Sequence, residues 1–131
     1  MSKTFNVNII TPTKIIYEKD VEYLRAPSYD GLFGVKIGHV NSIIGLNIGE
    51  IKIIQNGKEK FYSSSTGYAD ITDKQVEILV ESIEGSNQID ETRAKSSVGR
   101  SKKRLKDNSM NQNRAFVSLE KALNRLKVSK R

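Results

Sequence analysis

The sequence has no cysteine and a single histidine among its 131 residues. The absence of cysteine excludes disulfide bonds and thiolate metal sites. No apolar run approaches the roughly 20 residues that a membrane-spanning helix needs. The opening MSKTFNVNII lacks the basic start and long apolar stretch of a secretory signal. These absences predict a soluble, cytoplasmic protein without a metal site.

Motifs that carry catalysis are missing as well. His39 has no serine or cysteine motif to accompany it, so we interpret it as a structural or interface residue. Neither common phosphate-binding glycine motif, GxxxxGK[ST] or GxGxxG, is present. Carboxylate pairs such as Asp70 and Asp73 fall at predicted turns, where they are solvated rather than placed for acid–base chemistry. We therefore predict no catalytic residues, and a chain that is not an enzyme.

Charge is divided unevenly along the chain, whose formal total is +7. Residues 1–85 carry 9 Lys/Arg and 11 Asp/Glu, a net −2, whereas residues 86–131 carry 13 and 4, a net +9. This division predicts two modules that meet at the turn-forming segment 85–88. We expect the basic module to face an acidic protein surface, a phosphate-bearing ligand or nucleic acid.

The first module has the apolar–polar alternation of β-strands. Phe5, Val7 and Ile9 alternate with asparagines, and Asn56-Gly57 supplies the two positive φ angles of a type I′ hairpin. Further strands are predicted over residues 14–18, 21–26, 48–55, 58–63, 66–71 and 75–83. Many short strands at such spacing predict an all-β sandwich or a flattened barrel.

The second module predicts two helices. The first run, IDETRAKSSVGRSKKRLKD, begins with acids and ends with bases, the order that the helix dipole favours. The polar linker 108–113 is short enough to fold the pair into an antiparallel hairpin. The second run has an apolar stripe at helical spacing, formed by Ala115, Phe116, Leu119, Ala122, Leu123 and Leu126. Two short helices with one narrow seam make a weak core, so we expect the hairpin to lean on another surface.

Several ligands fit so basic a hairpin. Nucleic acid is one, through phosphate neutralisation, although Phe116 is the only aromatic residue there that could stack on a base. An acidic protein surface fits equally well, as does a nucleotide polyphosphate held by forked arginine contacts. A solvated helix face is the simplest interpretation, but the scarcity of acids argues against it.

Five segments carry a resemblance to a known family. They are the opening FNVNIITPTKIIYEKDVEYLRAPSYDGLFGV, GVKIGH at 34–39, STGYADI at 65–71, IDETRA at 89–94 and LNRLKV at 123–128. In order and spacing they resemble the epsilon subunit of bacterial F-type ATP synthase over nearly the whole chain. The helix-opening motif IDETRA matches in full. Ile37 stands where the family has a proline, and Leu32 where some members carry an acid.

The resemblance implies an α+β fold, with a β-sandwich of about ten strands over residues 1–85 and an antiparallel two-helix hairpin over residues 86–131. It implies a non-catalytic rotor subunit at the cytoplasmic face of the cell membrane, which it reaches only through the complex. Its partners would be the gamma subunit, the c-ring and the catalytic alpha/beta head, and extended helices would inhibit ATP hydrolysis. No cofactor is required, and nucleic acid is not a partner.

The resemblance also assigns three groups of residues. ATP, as a regulatory ligand, would contact Glu84, Ile89, Asp90, Arg93, Ala94, Arg100 and Arg125. Contacts to gamma and the c-ring fall on Asp30, Gly31, Leu32, Gly34 and His39. Contacts to the beta subunit fall on Arg100, Lys102, Lys103, Arg104, Arg114 and Lys121. ATP-binding members have a further arginine where this chain has Lys121. An alternative, in which Asp90 and Arg93 only support the first helical turn, stays open.

The main rival from another class is an RNA-binding protein with a β-barrel body and a basic helical arm. It predicts aromatic side chains exposed together on one sheet face, the candidates being Tyr23, Phe61, Tyr62 and Tyr68. It also predicts binding to many sequences that weakens steeply with salt.

Overall fold

The computed structural model describes residues 4–107 and 112–131. Within these residues, nine strands precede two helices, against about ten strands expected from the resemblance. The strands are β1 Phe5–Ile10, β2 Ile15–Ser28, β3 Gly31–Val35, β4 Ser42–Leu46, β5 Gly49–Gln55, β6 Lys58–Ser64, β7 Gly67–Ile71, β8 Gln75–Val80 and β9 Ile83–Gly85. A short 3-10 turn, Ser86–Gln88, leads to α1 Glu91–Lys106 and α2 Gln112–Ser129. The α+β class is confirmed.

The strands fold over one apolar core. Their order is β1-β8-β7-β4-β2-β5-β6-β9, with β3 paired to β2, and β1 also pairs with β2. The long strand β2 therefore takes part in both layers of the sandwich. Alternation along the strands sends one set of side chains inward. The buried cluster consists of Phe5, Val7, Ile9, Val21, Leu24, Ala26, Val35, Leu46, Ile51, Ile53, Tyr62, Ala69, Ile71, Val76, Ile78, Val80 and Ile83.

Strand β2 differs from its prediction. The sequence predicts two strands, 14–18 and 21–26, whereas the chain continues as one strand through the polar pair Lys19-Asp20. Asp20 has φ 55°, and the pairing registers of β2 with β1 and with β5 both shift near it. A β-bulge thus absorbs the break in the apolar pattern and bends the strand from one layer to the other.

The central hairpin forms as predicted. Asn56 and Gly57 have φ 51° and 72°, and β5 pairs with β6 from Gly49 to Gln55. The predicted strand 75–83 instead divides into β8 and β9 at Glu81-Ser82. There Ser65 donates its N–H to the Ser82 carbonyl at 3.2 Å and accepts the Ser82 N–H at 2.9 Å. These bonds turn the chain toward β6, which pairs with β9.

The helices begin and pack for local reasons. Asp90 caps α1, because its carboxylate accepts the Arg93 N–H at 3.1 Å, and bases fill the last turn as the dipole requires. The two helices pack together along small side chains, namely Val98 and Ser101 on α1 with Ala115 and Ala122 on α2. The predicted linker lies mostly outside the described residues. No helix in the described ranges is long and apolar enough to cross a membrane.

The apolar stripe predicted for α2 is partly wrong. Ala115 and Ala122 are buried as expected, and Leu119 and Leu126 are half-buried. Phe116 and Leu123, however, are 55% and 45% exposed. The periodicity could not show that small residues would be the buried ones on α2, an arrangement that leaves Phe116 and Leu123 of the stripe exposed to solvent.

Candidate functional site

A cationic groove lies between the two helices. On α1 the sequence S-x-x-R-S-x-x-R places Ser97, Arg100, Ser101 and Arg104 on one face, and on α2 S-x-x-K-A-x-x-R does the same from Ser118 to Arg125. The groove has a volume of about 280 Å³. Its lining residues are Ser97, Arg100, Ser101, Arg104, Ser118, Lys121, Ala122 and Arg125, so the described lining contains four cations and no carboxylate.

The cations of the groove are held in different ways. Arg125 faces Glu84 on β9, with Nε 2.6 Å from Oε1 and Nη2 donating to Oε2 at 3.2 Å. Arg100 donates from Nη2 to the Ser97 hydroxyl at 3.0 Å and is exposed. Lys121 and Arg104 are exposed at the same groove. Guanidinium forks and an ammonium group in this arrangement suit the several oxygens of a polyphosphate.

Of the seven predicted ATP contacts, Arg100 and Arg125 line this groove, and Glu84 is paired with Arg125. Arg93 lies on the groove face of α1, one turn before Ser97, and its side chain is 85% exposed. Asp90 caps the helix and lies 4.0 Å from the Arg93 Nε, which suits both of the interpretations left open for this pair. Glu84 reaches the groove through Arg125. None of these positions tests ATP binding, which stays a prediction.

Ile89 and Ala94, which the resemblance assigns to the nucleotide, lie in a small apolar cluster. They are buried with Val128, and the half-buried Phe61 and Leu126 pack against them. In this conformation Ala94 is fully enclosed. Their roles as ligand contacts stay predictions too, and here they join the hairpin to the sheet.

The sequence reasoning assigned Arg100 to both the ATP group and the beta-subunit group, and Arg104 and Lys121 to the latter alone. The structure places all three in the one groove. Lys102 and Lys103 point away from it into solvent, and Arg114 is exposed at the start of α2. The four-residue spacing of cations on both helices, at 100 and 104 on α1 and at 121 and 125 on α2, was the signal that could have identified the groove from sequence.

The residues predicted to contact gamma and the c-ring form an exposed region around the β2–β3 turn, which we call the rim. Ser28 Oγ accepts the Asp30 N–H at 3.1 Å and donates to the Gly31 carbonyl at 2.7 Å, which fixes the turn. Gly31 has φ 121°, in the region that glycine favours. Leu32 is 65% exposed. The turn thus presents Asp30 and Leu32 to solvent on a backbone held by its own hydrogen bonds.

Gly34 and His39 extend this rim along β3 and its following loop. A side chain at Gly34 would collide with the ring of Tyr23, so this glycine allows the tyrosine to lie across β3. His39 is half-buried between the exposed Ile37 and Val40. The position where the family has a proline is therefore an exposed apolar side chain in this chain.

An apolar patch that the sequence reasoning did not identify adjoins the rim. Tyr29 lies against Gly45 on β4, Gly45 pairs with Tyr68 on β7, and Ile43 is on the same face as Gly45. Tyr29, Ile43 and Tyr68 are 66%, 74% and 45% exposed. We call these three residues the apolar patch. Alternation within β4 was the signal in the sequence for two sheet faces. The sequence alone does not tell which of these faces packs on the core and which is exposed.

The aromatic platform of the RNA-binding alternative is not formed by its four candidates. Phe61 and Tyr62 are neighbours on β6, so they point to opposite faces of the sheet. Tyr62 is buried and donates to Glu18 at 3.2 Å, and burial followed by the Glu18 charge raises the pKa of its hydroxyl. Tyr23 lies against Gly34, and Arg131 covers Phe61.

The structure thus defines a class of two-part proteins, in which a β-sandwich is followed by a docked helical hairpin with a cationic groove. Comparison with protein families matches residues 4–86 to the β-sandwich domain of the ATP synthase delta/epsilon chain and residues 87–130 to the long alpha-helix domain of the same chain. The chain therefore belongs to the ATP synthase epsilon chain family.

Individual relatives agree over their full length. The ATP synthase epsilon chain of Bacillus pumilus is 35% identical over 128 residues, which cover 97% of this chain and 98% of that one. The epsilon chain of Desulforamulus reducens is 30% identical over 131 residues, covering 98% and 99%. Among solved structures, a chain of the Euglena gracilis mitochondrial ATP synthase superposes with a TM-score of 0.84 at 18% identity, covering 98% of this chain and 82% of that one. That last likeness concerns the fold alone.

Proposed function

We propose that this chain is a non-catalytic rotor subunit of an F-type ATP synthase, at the cytoplasmic face of the membrane. It couples the gamma subunit to the c-ring through its sandwich and restrains ATP hydrolysis through its hairpin. The observation that carries the proposal is the way the hairpin is attached, since hydrogen bonds and ion pairs join it to the sheet beside a buried apolar cluster of only three residues in the described chain. Asn124 donates to the Gly49 carbonyl at 2.8 Å and to Ser63 at 3.0 Å, beside the Arg125–Glu84 pair.

A hairpin held in this way suits a subunit with two conformations. Polar groups released from such an interface regain hydrogen bonds to water, so undocking costs far less than opening the apolar core of the sandwich. A serine-lined crevice of about 110 Å³ separates α2 from the sheet, which leaves the contact incompletely packed. Two packings of similar free energy can be biased by a ligand or a partner.

The apolar patch and the rim support the docking part of the proposal. An exposed tyrosine, isoleucine and second tyrosine on one sheet face have the composition of an interface centre rather than of a solvated surface. The rim adds Leu32 and Val40, which are 65% and 77% exposed. Gamma and the c-ring are the partners that family membership suggests for this surface.

The exposed cations of α1 support the inhibitory part. Lys102 and Lys103 are free to meet an acidic surface of the catalytic head when the helices extend. The groove supports ATP as a regulatory ligand, because a nucleotide that bridges both helices favours the folded hairpin. ATP would then oppose inhibition.

Reconstitution with the epsilon-depleted enzyme of the same organism tests the assignment. The complete chain should join the complex and lower ATP hydrolysis, and Lys102→Gln/Lys103→Gln should join equally well while inhibiting less. Lys58→Gln/Lys74→Gln, which removes the same charge from the sandwich surface, is the matched control and should inhibit like the parent. Failure of the parent chain to bind the depleted enzyme would refute the proposal.

Calorimetry with MgATP tests the ligand. Saturable binding should weaken about tenfold in Arg100→Gln, because one charge-assisted phosphate contact is lost. Arg93→Ala should weaken it as well if the helix-opening motif belongs to the site, and Lys102→Gln should not. If the parent chain shows no heat of binding, ATP is not its regulatory ligand, while the assignment as a rotor subunit stands.

A further inference from the structure

The hairpin also contacts the sheet through a buried carboxylate, Glu50. Its side chain is 5% exposed, although it lies on the outer face of β5 and its neighbour Ile51 is in the core. Three guanidinium N–H groups reach it. Arg25 donates from Nη2 at 3.2 Å, and Arg131 donates from Nε at 2.8 Å and from Nη2 at 2.9 Å.

The guanidinium group of Arg131 is contacted both along its N–H edge and on its flat face. Its fork meets both oxygens of Glu50, and its guanidinium carbon lies 4.9 Å from the centre of the Phe61 ring. The Glu50 hydrogen bond and charge raise the pKa of Arg131 further, so it stays cationic throughout. Strand register explains the arrangement, because Glu50 and Lys52 on β5 share the outer face with Ser63 and Phe61 on β6.

We propose that Arg131 and Glu50 form a latch that sets the fraction of molecules whose hairpin is docked on the sandwich. The proposal rests on the function above, in which the hairpin leaves the sheet in order to inhibit, and adds the contact that governs this step. Residues 50 and 131 are joined only when α2 lies on the sheet, so their pairing is a direct measure of docking.

The latch is built so that it can open. Removing one partner from a buried ion pair is costly when the other charge is left unpaired. Here Arg25 remains on Glu50 after Arg131 leaves, so the carboxylate keeps a cation. The Arg131 side chain is already 39% exposed and is readily solvated. Breaking this contact therefore changes the docked fraction by a moderate factor.

The latch holds the hairpin through a residue that a ligand in the groove does not contact. Arg125 belongs both to the groove and to the Glu84 pair, so a phosphate ligand competes with Glu84 for its guanidinium. Arg131 does not line the groove, and it can hold α2 on the sheet while Arg125 turns to a ligand. A second attachment point of this kind makes ligand binding and docking compatible.

Thiol labelling of the 131-residue chain tests the latch, since its sequence has no cysteine. Val128→Cys places one thiol at a fully buried position on the sheet-facing side of α2, where it reacts only after undocking. Adding Arg131→Gln should raise the labelling rate about fivefold, the effect of losing a charge-assisted contact that is partly solvated. Each rate is divided by the rate in denaturant, which corrects for intrinsic thiol reactivity.

Controls separate the latch from general effects. Lys130→Gln removes the same charge one residue away, from an exposed side chain, and should leave labelling at Val128→Cys unchanged. Arg131→Lys should fall between the parent and Arg131→Gln, because an ammonium lacks the fork. Ala69→Cys, in the sandwich core, should stay unreactive in the Arg131→Gln background, which shows that the sandwich is intact.

Two outcomes would overturn the latch. Rates raised equally above the parent in Arg131→Gln and Lys130→Gln would mean that only net charge matters, and parental rates in both would mean that Arg131 does not govern docking. The reconstituted enzyme distinguishes this failure from failure of the proposed function. If the latch is right, Arg131→Gln assembles normally and inhibits ATP hydrolysis more strongly than the parent. If the chain does not assemble, the rotor assignment is wrong whatever the labelling shows.

Discussion

The sandwich and the hairpin are stabilised by different chemistry. The sandwich encloses a cluster of 17 buried apolar residues in the described chain, whereas only Ile89, Ala94 and Val128 form the buried cluster where the hairpin meets the sheet. Apolar burial stabilises in proportion to the area removed from water, whereas hydrogen bonds and ion pairs are replaced by bonds to water when they open, so their net contribution is small. This difference supports the proposal that the hairpin can leave a sandwich that itself stays folded.

The comparison predicts that core truncation has the largest effect. Ile53 is fully buried on β5, and Ile53→Ala should lower the free energy of unfolding by about 2–5 kcal/mol, through lost burial and a residual cavity. Urea denaturation followed by circular dichroism measures it. Val117→Ala, at a 42% exposed position on α2, is the control and should change stability little. A loss below about 1 kcal/mol in Ile53→Ala would contradict the apolar account of the sandwich.

Alkaline pH should destabilise the sandwich through Tyr62, one of its buried side chains with a polar group. Burial and the adjacent Glu18 carboxylate raise the pKa of Tyr62 above the ordinary tyrosine value of about 10. The folded protein then keeps a proton that the unfolded chain releases, so stability is complete below that pH and falls as pH rises above it. The folding equilibrium constant should drop by up to about tenfold per pH unit from this group. Denaturation midpoints measured from pH 9 to 12 should fall less steeply in Tyr62→Phe.

Loss of Asn124 should affect the hairpin and not the body. Asn124→Ala removes the hydrogen bonds to Gly49 and Ser63, which together contribute about 1–2 kcal/mol to docking. Labelling at Val128→Cys should accelerate by about tenfold, and the unfolding midpoint of the sandwich should stay the same. If both change together, the two regions are one cooperative unit and the comparison fails.

The helix cap should have the smallest of these effects. Asp90→Ala leaves the Arg93 N–H without its acceptor and should cost about 1 kcal/mol at the start of α1. Hydrogen exchange of the amides of the first turn should accelerate, whereas those near Lys106 should not. Asp90→Asn keeps an acceptor and should behave like the parent. MgATP binding in the two variants then decides whether Asp90 only caps the helix or also contacts the nucleotide.

Local signals in the sequence were sufficient for part of the fold. Asn56-Gly57 determines its turn through backbone conformation alone, and the Asp90 cap with terminal bases delimits α1, so both were predictable. The bulge at Asp20 was not, because it depends on how β1 and β5 share β2. Exposure of Phe116 and Leu123 was not either, since the periodicity of a helix does not tell which neighbour it packs against.

The candidate site, too, was predictable only where local spacing determines it. Spacing within α1 and α2 was enough to predict two cationic helix faces, and antiparallel packing turns them into one groove. The pairs Glu84–Arg125 and Glu50–Arg131 join residues 41 and 81 positions apart. Such pairs depend on the docking of two modules, which nothing in the sequence of either one determines.

The small side chains between the helices have a thermal consequence. The heat capacity change of an opening reaction scales with the apolar area that it exposes. Separating the two helices along Val98, Ser101, Ala115 and Ala122 exposes little apolar area. The free energy of opening the hairpin should therefore change nearly linearly with temperature, whereas the free energy of unfolding the sandwich should follow a curve. A van't Hoff plot of the proposed opening should therefore be nearly straight, whereas the plot for unfolding of the sandwich should curve.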